Sequence, residues 1–198
     1  YLLEPDLKEA RGGLRDIQAL RAISLSGAVH VPLEKISWAE STLNNVREAL
    51  HTASGRGKDR LLFQEQDKVA KLLDYKDADA MMGDVARAAR SVDYLLDYTW
   101  HALEHKGNDG LGRIMRRHRV VSVAKNVSAV EREIIIDTLT SFDEDPVVGL
   151  RAAATAAQLG LPLSLDTCTE LSLALNSGQG VLPNPWPREA RELLITLI

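Results

Sequence analysis

Two short stretches of the chain gather residue types that handle anions. The first is Leu7-Lys8-Glu9-Ala10-Arg11-Gly12-Gly13-Leu14-Arg15-Asp16-Ile17-Gln18, where a glycine pair stands at the point a polar segment turns into a helix. Paired glycines let a backbone approach a ligand closely, and the N-terminus of a following helix presents N–H groups to an anion. Lys8, Arg11 and Arg15 add positive charge. Asp16 is placed either to orient Arg15 or to favour the helix start through the helix dipole. The second stretch runs from Arg47 to Arg60, with Arg56, Lys58 and Arg60 close together and Asp59 among them. Guanidinium suits phosphate because its planar fork donates two parallel hydrogen bonds. The two stretches could line one polyanion site. They could equally be two unrelated solvated loops in which Asp16 and Asp59 pair arginines for structural reasons.

Other constellations have simpler readings. His101-Ala102-Leu103-Glu104-His105 fits the H-x-x-E-H pattern of inverted zinc proteases, with two imidazoles one turn apart. It sits at a predicted helix C-terminus, where histidine and lysine interact well with the helix dipole, and no metal site is assigned. Gly55-Arg56-Gly57-Lys58-Asp59 resembles a phosphate loop but lacks its first glycine, and Asp59 replaces the metal-binding Ser or Thr. Asp143, Glu144 and Asp145 read as a capped helix start rather than a cation site. His30, His51 and His118 have no persuasive Ser or Cys partner, so no catalytic residue is assigned. Arg113, Arg116, Arg117, His118 and Arg119 read as a solvated helix end. The single cysteine, Cys168, excludes an internal disulfide, suits a reducing compartment and is expected to be a buried thiol.

These residues must be positioned by helices. With 198 residues, 45% of them hydrophobic and 26% charged, the chain can form one large or two small domains with a real core. Its net charge of −4 argues against a broad nucleic-acid-binding face. There is no run of about 18 apolar residues and no signal peptide, so no membrane partner and a cytoplasmic location are expected. The chain starts at Tyr1 without Met and stops in mid-pattern at Ile198, which reads as an internal fragment.

Leu14, Ile17, Leu20 and Leu25 mark a first helix ending near Gly27. Pro32 is placed as the first helical residue of a second, with Leu33, Ile36, Leu43, Val46 and Leu50 inward, running to about Ala53. A third covers Phe63 to Leu73. Asp77 then caps a long fourth helix to about His105, with Met81, Val85, Ala89, Val92, Leu96 and Leu103 on one side. Gly107, Gly110 and Gly112 mark a loop. Beyond it, Val120–Val123 and Ile134–Ile136 predict a short hairpin, with a helix through Glu131 and Glu133 as the competing reading. Asp145-Pro146 starts a helix that Gly160 ends, Ser164 caps the next, and a last amphipathic helix carries Ala190, Leu193, Leu194 and Leu197. The expectation is a mainly α, multi-helix fold with at most one short β-hairpin. Residues 1–106 would form one helical domain and residues 107–198 a second helical part.

Lys8 through Gln18 resembles a signature of the bacterial PII uridylyltransferases, part of the wider nucleotidyltransferase group that includes the glutamine synthetase adenylyltransferases. Arg47, Leu50-His51, Gly55-Arg56, Asp59-Arg60-Leu61, Phe63, Gln66, Ala70 and Tyr75 resemble a second stretch of that family at its spacing. Asp145-Pro146 through Ser164 is a looser third match. The family usually has Gly where Ala10 stands and often an aromatic where Arg21 stands. Arg15-Asp16-Ile17-Gln18 favours the PII-modifying branch over the adenylyltransferase branch, which usually reads Arg-Glu-Ile-Glu there.

The resemblance implies a multidomain regulator of nitrogen metabolism that transfers UMP or AMP from UTP or ATP to a tyrosine of the PII signalling protein. This chain would be the helical domain after the transferase core. The catalytic aspartates and their magnesium would lie upstream, so the isolated chain is expected to be inactive. A His-Asp hydrolase domain and glutamine-sensing ACT domains would lie elsewhere. On this resemblance Lys8, Arg11, Gly12, Gly13, Arg15, Asp16, Arg56, Asp59 and Arg60 are the expected nucleotide- or substrate-binding residues. The alternative is a non-catalytic helical module that docks PII or links domains.

Overall fold

Apolar residues spaced three and four apart account for most of the architecture seen in the computed structural model, which describes residues 3–106 and 120–197. The chain divides into two compact units, Tyr1–Gly110 and Leu111–Ile198.

In the first unit, α1 (Leu14–Ser26) buries Leu14, Ile17 and Leu20 and stops at Gly27, which takes the left-handed conformation with φ 66°. Leu25 is not part of that stripe and is 89% exposed. Five residues beyond Leu20 is about 140° around the helix, on the opposite side. Pro32 does not open an α-helix as its first residue; it precedes a single 3-10 turn, Leu33–Ile36, from which α2 (Ser37–Ser54) continues. Helix α2 buries Ala39, Leu43, Val46, Ala49 and Leu50 and ends at Gly55, φ 62°. Helix α3 (Phe63–Leu72) buries Val69 and Ala70. Helix α4 (Ala78–Lys106) is capped as its sequence indicates, the Asp77 carboxylate accepting the Ala80 N–H at 2.7 Å. Its buried stripe is Met81, Val85, Ala88, Val92, Leu95 and Thr99. The expected positions Ala89 and Leu96 lie one residue round, half-buried. Helix α2 packs against α1, α3 and α4, and α1 also rests on α4.

In the second unit, three strands form an antiparallel meander: β1 (Val121–Ala124), β2 (Val127–Val130) and β3 (Glu133–Ile136). The two β-branched runs do not pair with each other, as a hairpin would require; both pair with Val127–Val130. The competing helix through Glu131 and Glu133 is absent. Glu131 and Arg132 form the β2–β3 turn with φ 50° and 71°, the positive values of a tight hairpin connection. Residues Pro162–Ser164 lie along β3, with Ile134 N–H donating to Pro162 O and Ser164 N–H to Ile134 O, both at 2.9 Å. Helix α5 (Val148–Leu159) lays Val148, Ala152 and Ala156 on Val127, Ile134 and Ile136 to make the core. Helix α6 (Leu165–Asn176) is capped by Ser164, whose Oγ accepts the Thr167 N–H at 3.1 Å, and α7 (Arg188–Leu197) closes the unit.

Asp145 does not cap α5, whose start has no side-chain cap. Its carboxylate instead faces Arg151, which donates from Nη1 at 2.8 Å and Nη2 at 3.2 Å. Asn126 Nδ2 donates to the same carboxylate at 2.9 Å, while Arg151 also reaches Lys125 O at 3.1 Å and Glu189 at 2.6 Å. The β1–β2 turn, α5 and α7 are thus tied through one buried guanidinium. Cys168 is half-buried rather than fully enclosed. Arg113, Arg116, Arg117, His118, Arg119 and the glycines 107, 110 and 112 lie outside the described residues, as does the side chain of His105. Among the described residues no helix is long and apolar enough to cross a membrane.

Candidate functional site

The two anion-handling stretches meet. Asp6 and Arg60 form an antiparallel bridge, with Leu7 N–H donating to Asp59 O at 2.8 Å and Leu61 N–H to Pro5 O at 2.9 Å. Gln66 reinforces the join. It is buried at the start of α3, and its Nε2 donates to Leu3 O at 2.7 Å.

From this join the chain makes a tight loop into α1. Asp6 Oδ1 accepts the N–H groups of Lys8 and Glu9 at 2.9 and 2.7 Å. Gly13 N–H donates to Ala10 O at 2.8 Å, Leu14 N–H to Leu7 O and Arg15 N–H to Lys8 O, both at 3.0 Å. Asp16 folds back so that its Oδ2 accepts the Gly12 N–H at 2.7 Å. The donors expected to await an anion are therefore bonded within the loop. Asp16 shapes this turn and is not the partner of Arg15, which pairs with Glu9 at 2.6 Å.

Gly12 and Gly13 are both buried. Gly12 has φ +78°, and its open side faces the backbone of Ala89 on α4. The close approach that this glycine permits is to a helix, not to the exterior. Arg11 extends the same contact along α4. Its Nε donates to Asp93 and its Nη2 to Asp97, the latter at 2.7 Å. The hydrogen bond to Asp93 is the main cause that holds the Arg11 pKa above its ordinary value, with the charges of Asp93 and Asp97 adding to it.

Asp59 anchors the second stretch. One carboxylate oxygen faces Arg47 Nε at 2.6 Å and His51 Nε2 at 3.0 Å, both on α2. Partial burial pushes the Asp59 pKa up, but the hydrogen bonds from Arg47 and His51 outweigh it and leave it below the usual carboxylate value. The neighbouring cations are less engaged. Arg60 is exposed and stands 3.8 Å from Glu4; Lys8 is 3.9 Å from Glu9. The side chains of Arg56 and Lys58 are exposed and have no ion-pair partner among the described residues.

The structure thus separates the nine expected site residues into two sets. Gly12, Gly13, Asp16, Asp59 and, through its two aspartates, Arg11 brace the loop. Lys8, Arg15, Arg56 and Arg60 leave charge at the surface. Sequence reasoning did not assign Asp93, Asp97 or Gln66, whose loop partners lie 82, 86 and 63 residues away. Arg47 and His51 carried a signal, their spacing of four on one helix face, but no partner was evident. Among the described residues no three His, Cys, Asp or Glu side chains stand together as a metal site.

The chain matches the family model described as GlnD PII-uridylyltransferase over residues 1–26 and 30–100, which contain the whole of this loop and its partners. A bifunctional uridylyltransferase/uridylyl-removing enzyme of Streptomyces coelicolor is 41% identical across 100% of the chain. The chain belongs to the PII-uridylyltransferase family. Enzymes of the same description from Mycobacterium tuberculosis and Corynebacterium glutamicum are 32% and 28% identical, across 98% and 96% of the chain. Within this family the chain is a portion: it spans about a quarter of the length of the curated relatives it matches, 25% of the Streptomyces protein. No solved structure matches it.

Proposed function

We propose that the chain is the helical part of an enzyme that transfers UMP, or AMP, from a nucleoside triphosphate to a tyrosine of the PII protein. The first helical domain, residues 1–106, would follow a nucleotidyltransferase core that supplies the catalytic aspartates and magnesium. The second, residues 107–198, would lead toward the other domains. In the transfer, the tyrosine hydroxyl attacks the α-phosphorus of the nucleotide and pyrophosphate leaves. The helical part contributes positioning and charge.

The observation that carries this reading is the Asp6–Arg60 pairing, which unites the two family-like stretches in one body. Lys8 and Arg15, with Arg56 and Arg60 beyond, supply cations for phosphate or for an acidic part of the target. Arg11, held by two aspartates, orders the loop that presents them.

A second reading also has an observation in its favour. The α1 N-terminal donors are satisfied internally, as expected of a non-catalytic docking or linking module. The two readings part on nucleotide dependence. The complete enzyme, wild type beside Arg15→Ala and Arg60→Ala, would be assayed for transfer of labelled UMP and AMP to PII. Loss of one charged contact costs about 1.5–3 kcal/mol, roughly tenfold to a hundredfold. A loss of that size in kcat or in the KM for the nucleotide, with folding intact, supports a role at the transferase site. A loss confined to the KM for PII, or a change within about threefold, removes that role and leaves the helical module.

A further inference from the structure

The loop that carries Lys8 and Arg15 is closed by its own groups. Leu14 N–H donates to Leu7 O, Arg15 N–H to Lys8 O, and the Asp16 carboxylate accepts the Gly12 N–H. Closing the loop therefore asks nothing of α4. What α4 supplies is a seat. The open side of Gly12 lies on the backbone of Ala89, a contact that sets the distance between loop and helix. Arg11 adds direction. Its Nε donates to Asp93 and its Nη2 to Asp97, two carboxylates one turn apart on the helix face that begins at Ala89. A planar guanidinium held at two donors by two carboxylates is fixed in both place and rotation, whereas an ammonium is held as a point charge. The grip passes on to the surface cations through the loop. Arg11 is bonded in chain between them, and the Arg15 backbone and side chain are tied to Lys8 O and Glu9.

We propose that Asp93 and Asp97 are positioning residues for nucleotidyl transfer: by gripping Arg11 they set where the loop holds Lys8 and Arg15 against the phosphates of the nucleotide. The inference rests on the transferase reading given above and adds to it the groups outside the loop that fix the loop's place. Neither aspartate touches the nucleotide. Both act through Arg11 and the loop backbone, from positions 82 and 86 residues away in the chain. A displacement of about 1 Å in a positioning group costs about a hundredfold in rate, so loss of the grip is read in the transfer reaction.

The complete enzyme would be assayed with UTP and with ATP as donor, in four forms: wild type, Asp93→Ala/Asp97→Ala, Lys8→Ala/Arg15→Ala, and all four substitutions together. Alanine is a better helix former than aspartate, so α4 is retained. The aspartate pair is expected to lower kcat/KM for the preferred donor about tenfold to a hundredfold, with the KM for PII within about twofold of wild type. Added to Lys8→Ala/Arg15→Ala, the same pair should cost less than about twofold, because the groups it places are already gone; a weakened fold would instead multiply the two losses. Arg11→Lys keeps the charge without the two-point grip and should match the aspartate pair to within about threefold. If the aspartate pair leaves kcat/KM for the donor within about threefold of wild type, or if the losses multiply, the positioning role is overturned. The transferase reading then still stands on the loss from Lys8→Ala/Arg15→Ala. No loss from Lys8→Ala/Arg15→Ala, or a wild type that labels PII from neither donor, overturns both.

Discussion

A Cβ atom on Gly12 would lie 2.1 Å from the carbonyl oxygen of Ala89. Two costs therefore coincide at this position. Its φ of +78° is costly for any side chain, and the space beyond is filled by helix backbone, which cannot swing aside. Gly12→Ala is expected to destabilise the fold by roughly 2–5 kcal/mol, the sum of a left-handed penalty and overpacking. Gly55 has a similar φ of 62° but nothing within 4 Å of its Cβ position, so Gly55→Ala should cost about 1–2 kcal/mol. Urea denaturation of the pair checks the difference.

Asp59 gives the join an acid limit. Its folded pKa is lowered below the ordinary 3.8, so its contribution is fully present above that value and is lost as pH falls through the folded one. Asp59→Asn should lower stability at neutral pH and flatten the acid limb of the stability curve below about pH 4. Melting temperatures recorded from pH 2.5 to pH 7 would show the two curves converging at the acid end.

In the second unit the Arg151 and Asp145 side chains are only 6% and 9% exposed. Removing one partner leaves the other charge buried without compensation. Arg151→Met should cost about 3–5 kcal/mol, and adding Asp145→Asn should recover part of that loss. A double-mutant cycle by chemical denaturation measures the coupling. Asp145 is also held below its usual pKa, chiefly by the hydrogen bond from Arg151, so this unit too should lose stability as pH falls.

Leu20 and Leu25 test the orientation of α1. Leu20 is 0% exposed, and Leu20→Ala should cost about 2–5 kcal/mol. Leu25→Ala should stay within about 0.5 kcal/mol, as expected for an exposed site. Thermal melts of the two variants suffice.

The helices were legible where a local signal decides them. Gly27, Gly55 and Gly160 end helices in the left-handed conformation, and Asp77 and Ser164 cap them through their own side chains. The third strand was not legible. Val127–Val130 is four residues long, with serine and alanine at its centre, and its pairing depends on both neighbouring runs. Pattern fixes the face of a helix only to within about one residue, which is why the stripe of α4 runs through Ala88 and Leu95 rather than Ala89 and Leu96.

The site was half legible for a related reason. Residue types announce a cation cluster, but whether a donor is free depends on distant partners. Nothing near Arg11 in the chain foretells Asp93 and Asp97. Nothing near Gly12 says that its exposed-looking backbone is roofed by α4. Asp145 illustrates the same point, since an acidic residue before a helix reads as a cap until Arg151 and Asn126 are seen to claim it.

The contacts of Gly12 and Arg11 fall on Ala89, Asp93 and Asp97, three positions spaced by four along α4. One residue inserted between them would rotate the remainder of the helix by about 100° and carry the aspartates away from Arg11. This portion of α4 should therefore tolerate substitution at many outward positions but no change in length. Natural length variation in this helix is to be sought beyond Asp97, where the loop no longer keeps count of its turns.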